Sequence, residues 1–381
     1  MKQRQLGHTG LLVGEIGIGC EGLIGKTAAE LVAWLDVMEA AGANCIDLYH
    51  PGPELRSALG EALRGRRESF VLQGHICSTW EDGQYKRTRE PGEVRRAFQD
   101  QLTRLGVETL EIGMIHYVDS MADWQEVSRG PVLAYARELK AVGRIRSIGL
   151  SSHNPEVALA AVESGAVEVL MFSVNPCYDL QPAGEDVEAL WAPENYAAPL
   201  LNMDPAREAL YEACQRRGVG ITVMKAFGGG DLLKSQLSPA GAALTPYQCI
   251  SYALDRPGVA TVLAGARSQE ELRDILRYQE APEDARDYAA ALAAFPRISW
   301  KGHCMYCGHC APCPVGIEVG TVTKFLRLVK AQGEVPETVR EHYAALGHKA
   351  SECIGCGACA GRCPFAVDAV GNMAEAARVL G

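Results

Sequence analysis

No run of eighteen apolar residues occurs in this chain of 381, so it offers no segment long enough to span a bilayer. The opening Met1-Lys-Gln-Arg-Gln-Leu6 lacks the apolar segment of a secretory signal. A long basic run is also missing and the net charge is -10, which leaves no electrostatic footprint for nucleic acid. These absences predict a cytoplasmic protein with neither a membrane nor a nucleic-acid partner. That location disfavours disulfides, yet the chain has fourteen cysteines. Metal is then the expected use of most of them.

Eight of the fourteen fall in two runs near the end. Cys304-Met-Tyr-Cys307-Gly-His-Cys310-Ala-Pro-Cys313-Pro314 is the first, and Cys353-Ile-Gly-Cys356-Gly-Ala-Cys359-Ala-Gly-Arg-Cys363-Pro364 the second. A four-iron cube takes thiolates from four directions; a tight C-x2-C-x2-C loop supplies three. The second run follows the bacterial ferredoxin pattern, in which the cysteine before the proline ligates the other cluster. The expectation is therefore crossed: Cys304, Cys307, Cys310 and Cys363 on one [4Fe-4S] cluster, Cys353, Cys356, Cys359 and Cys313 on the second. Structural zinc is the competing reading of paired C-x2-C; two runs of four cysteines, each closed by Cys-Pro, argue against it. The remaining Cys20, Cys45, Cys77, Cys177, Cys214 and Cys249 stand singly and read mostly as core residues.

Upstream, short apolar runs alternate with helical patterns. Strands are expected at 13–20, 44–50, 69–77, 110–118, 145–153, 167–175, 220–227 and 259–267, each followed by a helix. Near-continuous apolar strands between helices mean parallel pairing with both faces covered, and eight units make a (β/α)8 barrel. Gly42, Gly106, Gly143 and Gly218 sit where helices should stop. The opening 3–12 reads as a small hairpin. An Ala-rich helix is expected at 281–295, and helices at 317–331 and 336–346 between the cysteine runs. That spacer predicts a small all-helical ferredoxin-like domain at 296–381 after a barrel at 1–295.

Ile46-Asp47, Leu59-Gly60-Glu61-Ala62-Leu63, Met114-Ile115-His116 and Ser147-Ile148-Gly149-Leu150-Ser151, in this order on the barrel units, resemble the aldo-keto reductase superfamily over about residues 3–295. With the cysteine runs, the chain resembles the members that carry a C-terminal ferredoxin module. The resemblance implies a carbonyl reductase that uses NADPH and an Asp, Tyr, Lys and His set. Asp47 matches the Asp and His116 the His, but Gly52 stands at the Tyr position and His75 at the Lys position. At the nicotinamide site Ser151 fits, Ser152 replaces an Asn, Met171 a Gln, and Met224 the stacking Tyr. The cations that grip the 2′-phosphate correspond to Gly265 and Glu271, although Arg267 remains. Ser151, Ser152, Asn175, Lys225 and Arg267 are the residues expected to meet a nicotinamide cofactor.

Active sites of this fold lie at the carboxyl ends of the strands. His50, His75, His116 and His153, four of nine histidines, fall there beside Asp47 and Tyr49. Acid–base work, a metal site and an inert polar rim are the competing uses. Lys225 suits an anion or an imine, or a rim salt bridge. Trp80–Arg89 reads as a long charged loop, and Pro176–Asn202, with Cys177, Tyr178, Trp191 and Tyr196, as a loop long enough to be a lid. Gly228-Gly229-Gly230 alone is a weak phosphate-loop signal.

The expected function is an iron–sulfur oxidoreductase that reduces a small polar substrate at Asp47, Tyr49, His75 and His116. Its electrons pass through two [4Fe-4S] clusters, with Tyr49 as substitute acid tuned by His75; a redox partner protein would supply them. The alternatives are an NAD(P)H-dependent carbonyl reductase with accessory clusters, a redox-neutral lyase or isomerase using the same acids and bases, and a non-catalytic electron-transfer subunit.

Overall fold

The computed structural model describes residues 1–186, 188–197 and 200–381. A hairpin of β1 (Gln3–Gln5) and β2 (Leu12–Gly14) leads into β3 (Ile16–Gly19), α1 (Ala28–Ala41), β4 (Cys45–Leu48), α2 (Pro53–Ala62) and β5 (Val71–Ile76). There follow β6 (Ser78–Glu81), β7 (Gln84–Arg87), α3 (Pro91–Leu105), β8 (Leu110–Ile115), α4 (Met121–Arg129), α5 (Pro131–Ala141), β9 (Ile145–Ser152) and α6 (Pro155–Glu163). The rest of the barrel region comprises β10 (Val169–Ser173), β11 (Leu200–Leu201), α7 (Pro205–Arg217), β12 (Gly220–Met224), α8 (Pro246–Leu254), β13 (Val259–Ala264), α9 (Gln269–Leu276), α10 (Glu283–Arg286) and α11 (Tyr288–Ala293). Strands β3, β4, β5, β8, β9, β10, β12 and β13 close into a parallel barrel of eight.

Local chemistry sets these boundaries. Thr27 and Glu30 form a reciprocal capping box that starts α1, and the four expected glycine stops all adopt positive φ, from 65° to 75°. The barrel interior is filled by Cys45, Val71, Ile112, Met114, Val169, Met171 and Ala260 and is closed at its amino end by Leu6, Leu11 and Val13 of the opening hairpin. Each such side chain is worth about 1.5–3 kcal/mol when buried. The expected helix at 281–295 is instead two short helices, because Asp287 takes an extended conformation and caps the second through Ala289 and Ala290.

After residue 295, β14 (Ile298–Ser299) pairs in parallel with β11 outside the barrel. Four helices follow: α12 (Val319–Gln332), α13 (Glu337–Ala345), α14 (Ala358–Arg362) and α15 (Ala369–Leu380). Val322, Leu326, Met373 and Ala376 form the centre of a second apolar core between them. The fold is thus an α/β barrel followed by a small all-helical unit. The seam is continuous with the barrel's own core, since Trp300, Met305, Phe365 and Val367 belong to it. Buried Arg256 donates to the Met305 carbonyl and lies 4.6 Å over the Tyr252 ring. Among the described residues no helix is long and apolar enough to cross a membrane.

Candidate active site

Asp47 lies one residue before the end of the second barrel strand and pairs in register with Gln73 of β5. Gln73 and His75 are two apart on β5, so both point to the same side of the sheet. Gln73 Nε2 donates to Asp47 Oδ1 at 2.6 Å, and His75 Nε2 lies 2.8 Å from the same oxygen. Thr222 Oγ1 donates to Gln73 Oε1 at 3.0 Å, which fixes the amide's orientation. His75 Nδ1 lies 2.7 Å from His116 Nδ1, just past β8. Asp47 and His75 are each 1% exposed. Burial first, then the neighbouring His75 and Arg89, holds His116 well below the usual imidazole range, so it is neutral near pH 7.

The series does not end at His116. Tyr85 Oη lies 2.8 Å from His116 Nε2, and burial raises its hydroxyl above the ordinary phenol value. The segment read as a long charged loop is in fact the β6–β7 hairpin, with Trp80 paired to Tyr85. Asp82 and Gly83 both have positive φ at its tip, as a two-residue hairpin turn requires. The Asp-Gly dipeptide between two four-residue segments was the signal that pointed to it. Cys77, left-handed at φ 76°, turns the chain out of the barrel into the hairpin.

Tyr49 lies beside these groups in a role different from the expected one. Its hydroxyl donates to Glu21 Oε1 at 2.8 Å, a residue beyond β3, and makes no bond to His75. Its ring stacks on His116 with centroids 6.4 Å apart at 12° and meets His75 edge-on at 6.5 Å. The phenol expected to be tuned by His75 is held by a carboxylate, and burial and Glu21 push its ionisation far up.

The other two rim histidines are occupied locally. His153 Nδ1 lies 2.8 Å from Asp119 Oδ2, and His50 packs against Trp80 with centroids 5.3 Å apart. Gly52 precedes α2, and a Cβ there would come within 2.7 Å of the His50 ring, which would have to shift. Among the described residues no group of three His, Cys, Asp or Glu side chains is placed to hold a single metal ion.

The residues expected to meet a nicotinamide are spread around the same rim. Ser151 Oγ accepts from the Tyr117 amide at 2.7 Å. Ser152 donates to Asp119. Asn175 donates to the Lys225 carbonyl and accepts from the Cys177 and Tyr178 amides. Lys225 itself is left-handed at φ 56°. The Glu271 carboxylate accepts from the exposed Arg267 amide at 2.7 Å, a negative group at the position where the family resemblance puts a cation for a 2′-phosphate. These residues do not fit NADPH, and no step below passes through it. Of the second expected loop, Asp179 is fully buried. It accepts from the Tyr211 and Tyr252 hydroxyls at 2.6 Å each. Positions 187, 198 and 199, and the Trp191 side chain, lie outside the described residues.

In the helical unit the cysteines gather around two cavities. Cys304, Cys307, Cys310 and Cys363 line one, with Phe365 and Val367. Cys313, Cys353, Cys356 and Cys359 line the other, with Ile317 and Met373. Each thiolate of a cubane binds a different iron, so four sulfurs around a hollow fit it although they do not converge on one point. Cys304, Cys307 and Cys363 pack against the barrel core, whereas Cys313, Cys353 and Cys359 belong to the helical core, and Cys356 is exposed.

Comparison with known proteins agrees with this division. Residues 15–243 match the model of the Aldo/keto reductase family and residues 303–368 that of the 4Fe-4S dicluster domain. The chain is 26% identical over 314 residues to "Uncharacterized oxidoreductase YqkF" of Bacillus subtilis (strain 168), covering 80% of this chain and 99% of the relative. It is 24% identical over 322 residues to "NADH-specific methylglyoxal reductase" of Escherichia coli (strain K12), covering 77% and 94%. An aldo-keto reductase from Bacillus halodurans, in its holo form, superposes with a TM-score of 0.58 at 22% identity, covering 76% of this chain and 95% of that one; so low an identity speaks for the fold alone. The family match spans more than half the chain, which therefore belongs to the aldo/keto reductase family and carries a C-terminal 4Fe-4S dicluster domain.

Proposed function

We propose that this protein is an iron–sulfur oxidoreductase that reduces a small polar substrate at the carboxyl end of the barrel. The observation that carries this is the buried series Asp47–His75–His116, opening at the rim of a barrel against which one of two four-cysteine cavities is packed. Asp47 anchors His75, His75 anchors His116, and the pair of imidazoles holds a proton at the substrate site. Tyr49 and His116 rings form one wall. Ser151 and Lys225 would border the site, and Lys225 would offer a cation to an anionic substrate.

The division into a barrel at 1–295 and a cluster-binding unit at 296–381 is part of the same proposal. Cys304, Cys307, Cys310 and Cys363 would hold the [4Fe-4S] cluster nearest the barrel, and Cys313, Cys353, Cys356 and Cys359 the outer one. Such clusters supply single electrons. Exposed Cys356 and Ile354 mark the side at which a redox partner protein would deliver them. The charge arrangement around Glu271 and Arg267 supports a source other than NADPH.

A second reading is favoured by the resemblance to the Escherichia coli NADH-specific methylglyoxal reductase: an NADH-dependent carbonyl reductase with accessory clusters. One experiment separates the two. Protein purified without oxygen is reduced with dithionite, freed of excess reductant and mixed with methylglyoxal. Reoxidation of the protein without NADH, abolished by Cys363→Ala, supports the first. Turnover that needs NADH and survives Cys363→Ala supports the second.

A further inference from the structure

We propose that Tyr85 hands a proton to a substrate oxygen at the barrel mouth, as the outer end of a two-state relay formed with His116, His75 and Asp47. This rests on the reductive reading above and names the donor that Gly52 leaves missing.

The chemistry of the donors orders the relay. An ionised carboxylate only accepts, so the His75 nitrogen facing Asp47, Nε2, carries a hydrogen. The contact of 2.7 Å between the two Nδ1 atoms holds one hydrogen, neither two nor none. Two arrangements satisfy both conditions. In the neutral one that hydrogen belongs to His116. His116 Nε2 is then bare and accepts from Tyr85, whose oxygen offers only lone pairs to the site. In the charged one His75 carries hydrogens on both nitrogens and is an imidazolium paired with Asp47. His116 must then carry its hydrogen on Nε2 and donate it to the Tyr85 oxygen, so the phenolic hydrogen turns toward the substrate.

Proton transfer converts the second arrangement into the first. The Tyr85 O–H bond breaks and a substrate O–H bond forms. His116 Nε2 passes its hydrogen to Tyr85, and His75 Nδ1 passes its own to His116. The negative charge developing on the substrate oxygen and the positive charge on His75 disappear together. His75 thus places a removable cation at the position where the family resemblance puts a lysine.

The surroundings favour His75 over His116 as the site of charge. Asp47 and Gln73 face His75, with the Tyr49 ring edge-on. Around His116 lie Arg89, which donates to its carbonyl, and Arg87, and each of these cations opposes a second proton there. Tyr85 is 42% exposed, whereas the other three groups are buried. It is the member of the series that an entering substrate can reach, and it rides on a hairpin outside the barrel.

The test uses intact protein with its clusters, labelled with ¹⁵N-histidine and titrated under anaerobic conditions. The expected result is one titration in which His75 becomes an imidazolium while His116 switches from the Nδ1–H to the Nε2–H tautomer and stays neutral. His75→Gln removes both signals. A His116 that becomes cationic, or keeps one tautomer throughout, overturns the relay. The donor role is read with methylglyoxal and dithionite-reduced protein. There Tyr85→Phe should lower kcat by roughly 10²–10⁴-fold with KM nearly unchanged, the cluster spectrum unaltered. Undiminished turnover by that variant overturns Tyr85 as donor. A tautomer switch in wild-type protein that reduces nothing keeps the relay and sinks the reductive reading on which the donor role rests.

Discussion

Cys359 and Cys363 stand at the two ends of α14, yet they line different cavities. The short helix carries the chain from one four-cysteine group to the other, and Arg362 ties the crossing by donating to the Cys310 and Pro312 carbonyls. Cys363→Ala should therefore damage the site shared with Cys304, Cys307 and Cys310. Anaerobic protein should hold about eight irons and eight sulfides, and the variant about four, with the outer site retained. Iron and sulfide analysis with electron paramagnetic resonance checks this; loss of the outer site instead would refute the crossing.

Trp300 fastens the two units. It is 1% exposed and packs on Tyr252 and His303 with centroids 6.1 and 5.6 Å apart. Trp300→Ala should cost about 3–5 kcal/mol. A lowered denaturant midpoint, with faster proteolytic release of the C-terminal unit, is the expected result.

Tyr49→Phe removes a single hydrogen bond to the Glu21 carboxylate, worth about 1.5–3 kcal/mol. It keeps the ring stacked on His116. Activity should fall far less than in His75→Gln, and kinetics of the two variants side by side decide it. An equal collapse in both would return Tyr49 to the role of acid.

Calorimetry should find no tight NADPH binding, because Glu271 presents a carboxylate at the Arg267 amide. A unit charge at about 4 Å is worth about 1 kcal/mol even in water. Glu271→Arg should therefore tighten NADPH binding by roughly tenfold or more and leave NADH nearly unaffected. Tight NADPH binding by the wild-type chain would contradict the arrangement.

His116 also predicts a pH dependence of stability. Its folded form resists protonation through burial and nearby His75 and Arg89, whereas the unfolded chain takes a proton below about 6.5. The unfolded state then binds more protons, so the stabilisation is complete above that pH and is lost as pH falls below it, by up to about 1.4 kcal/mol per unit. Denaturant midpoints measured at successive pH values should show this slope, flattened in His116→Asn.

The barrel was legible because its strands are unbroken apolar runs between capped helices, and the candidate residues Asp47, His75 and His116 because they lie at or beside the ends of such runs. The crossed cysteines were legible because the spacing follows from the geometry of a cube. Tyr85 was not. The strands of its hairpin alternate little in polarity and pack on no core, so only the Asp82-Gly83 turn marked them. The Tyr49–Glu21 bond joins two neighbouring strand ends far apart in sequence, a contact that no local pattern encodes. Helix α4 is not among the helices expected from the sequence, although Ser120 accepts from the Asp123 amide at its start.

The hydrogen bond from Arg256 to Met305 has a consequence for biosynthesis. The ribosome finishes the eight strands before residue 305 has emerged. At that moment Arg256, among the largest fully buried side chains, has met neither the Tyr288 hydroxyl nor the Met305 carbonyl, and the Tyr252 carbonyl is the partner already in place. The nascent barrel is therefore left with a guanidinium short of its partner until the first cysteine run arrives and closes over it. The first cysteine run therefore supplies a hydrogen-bond acceptor to the barrel as well as thiols to its own cavity.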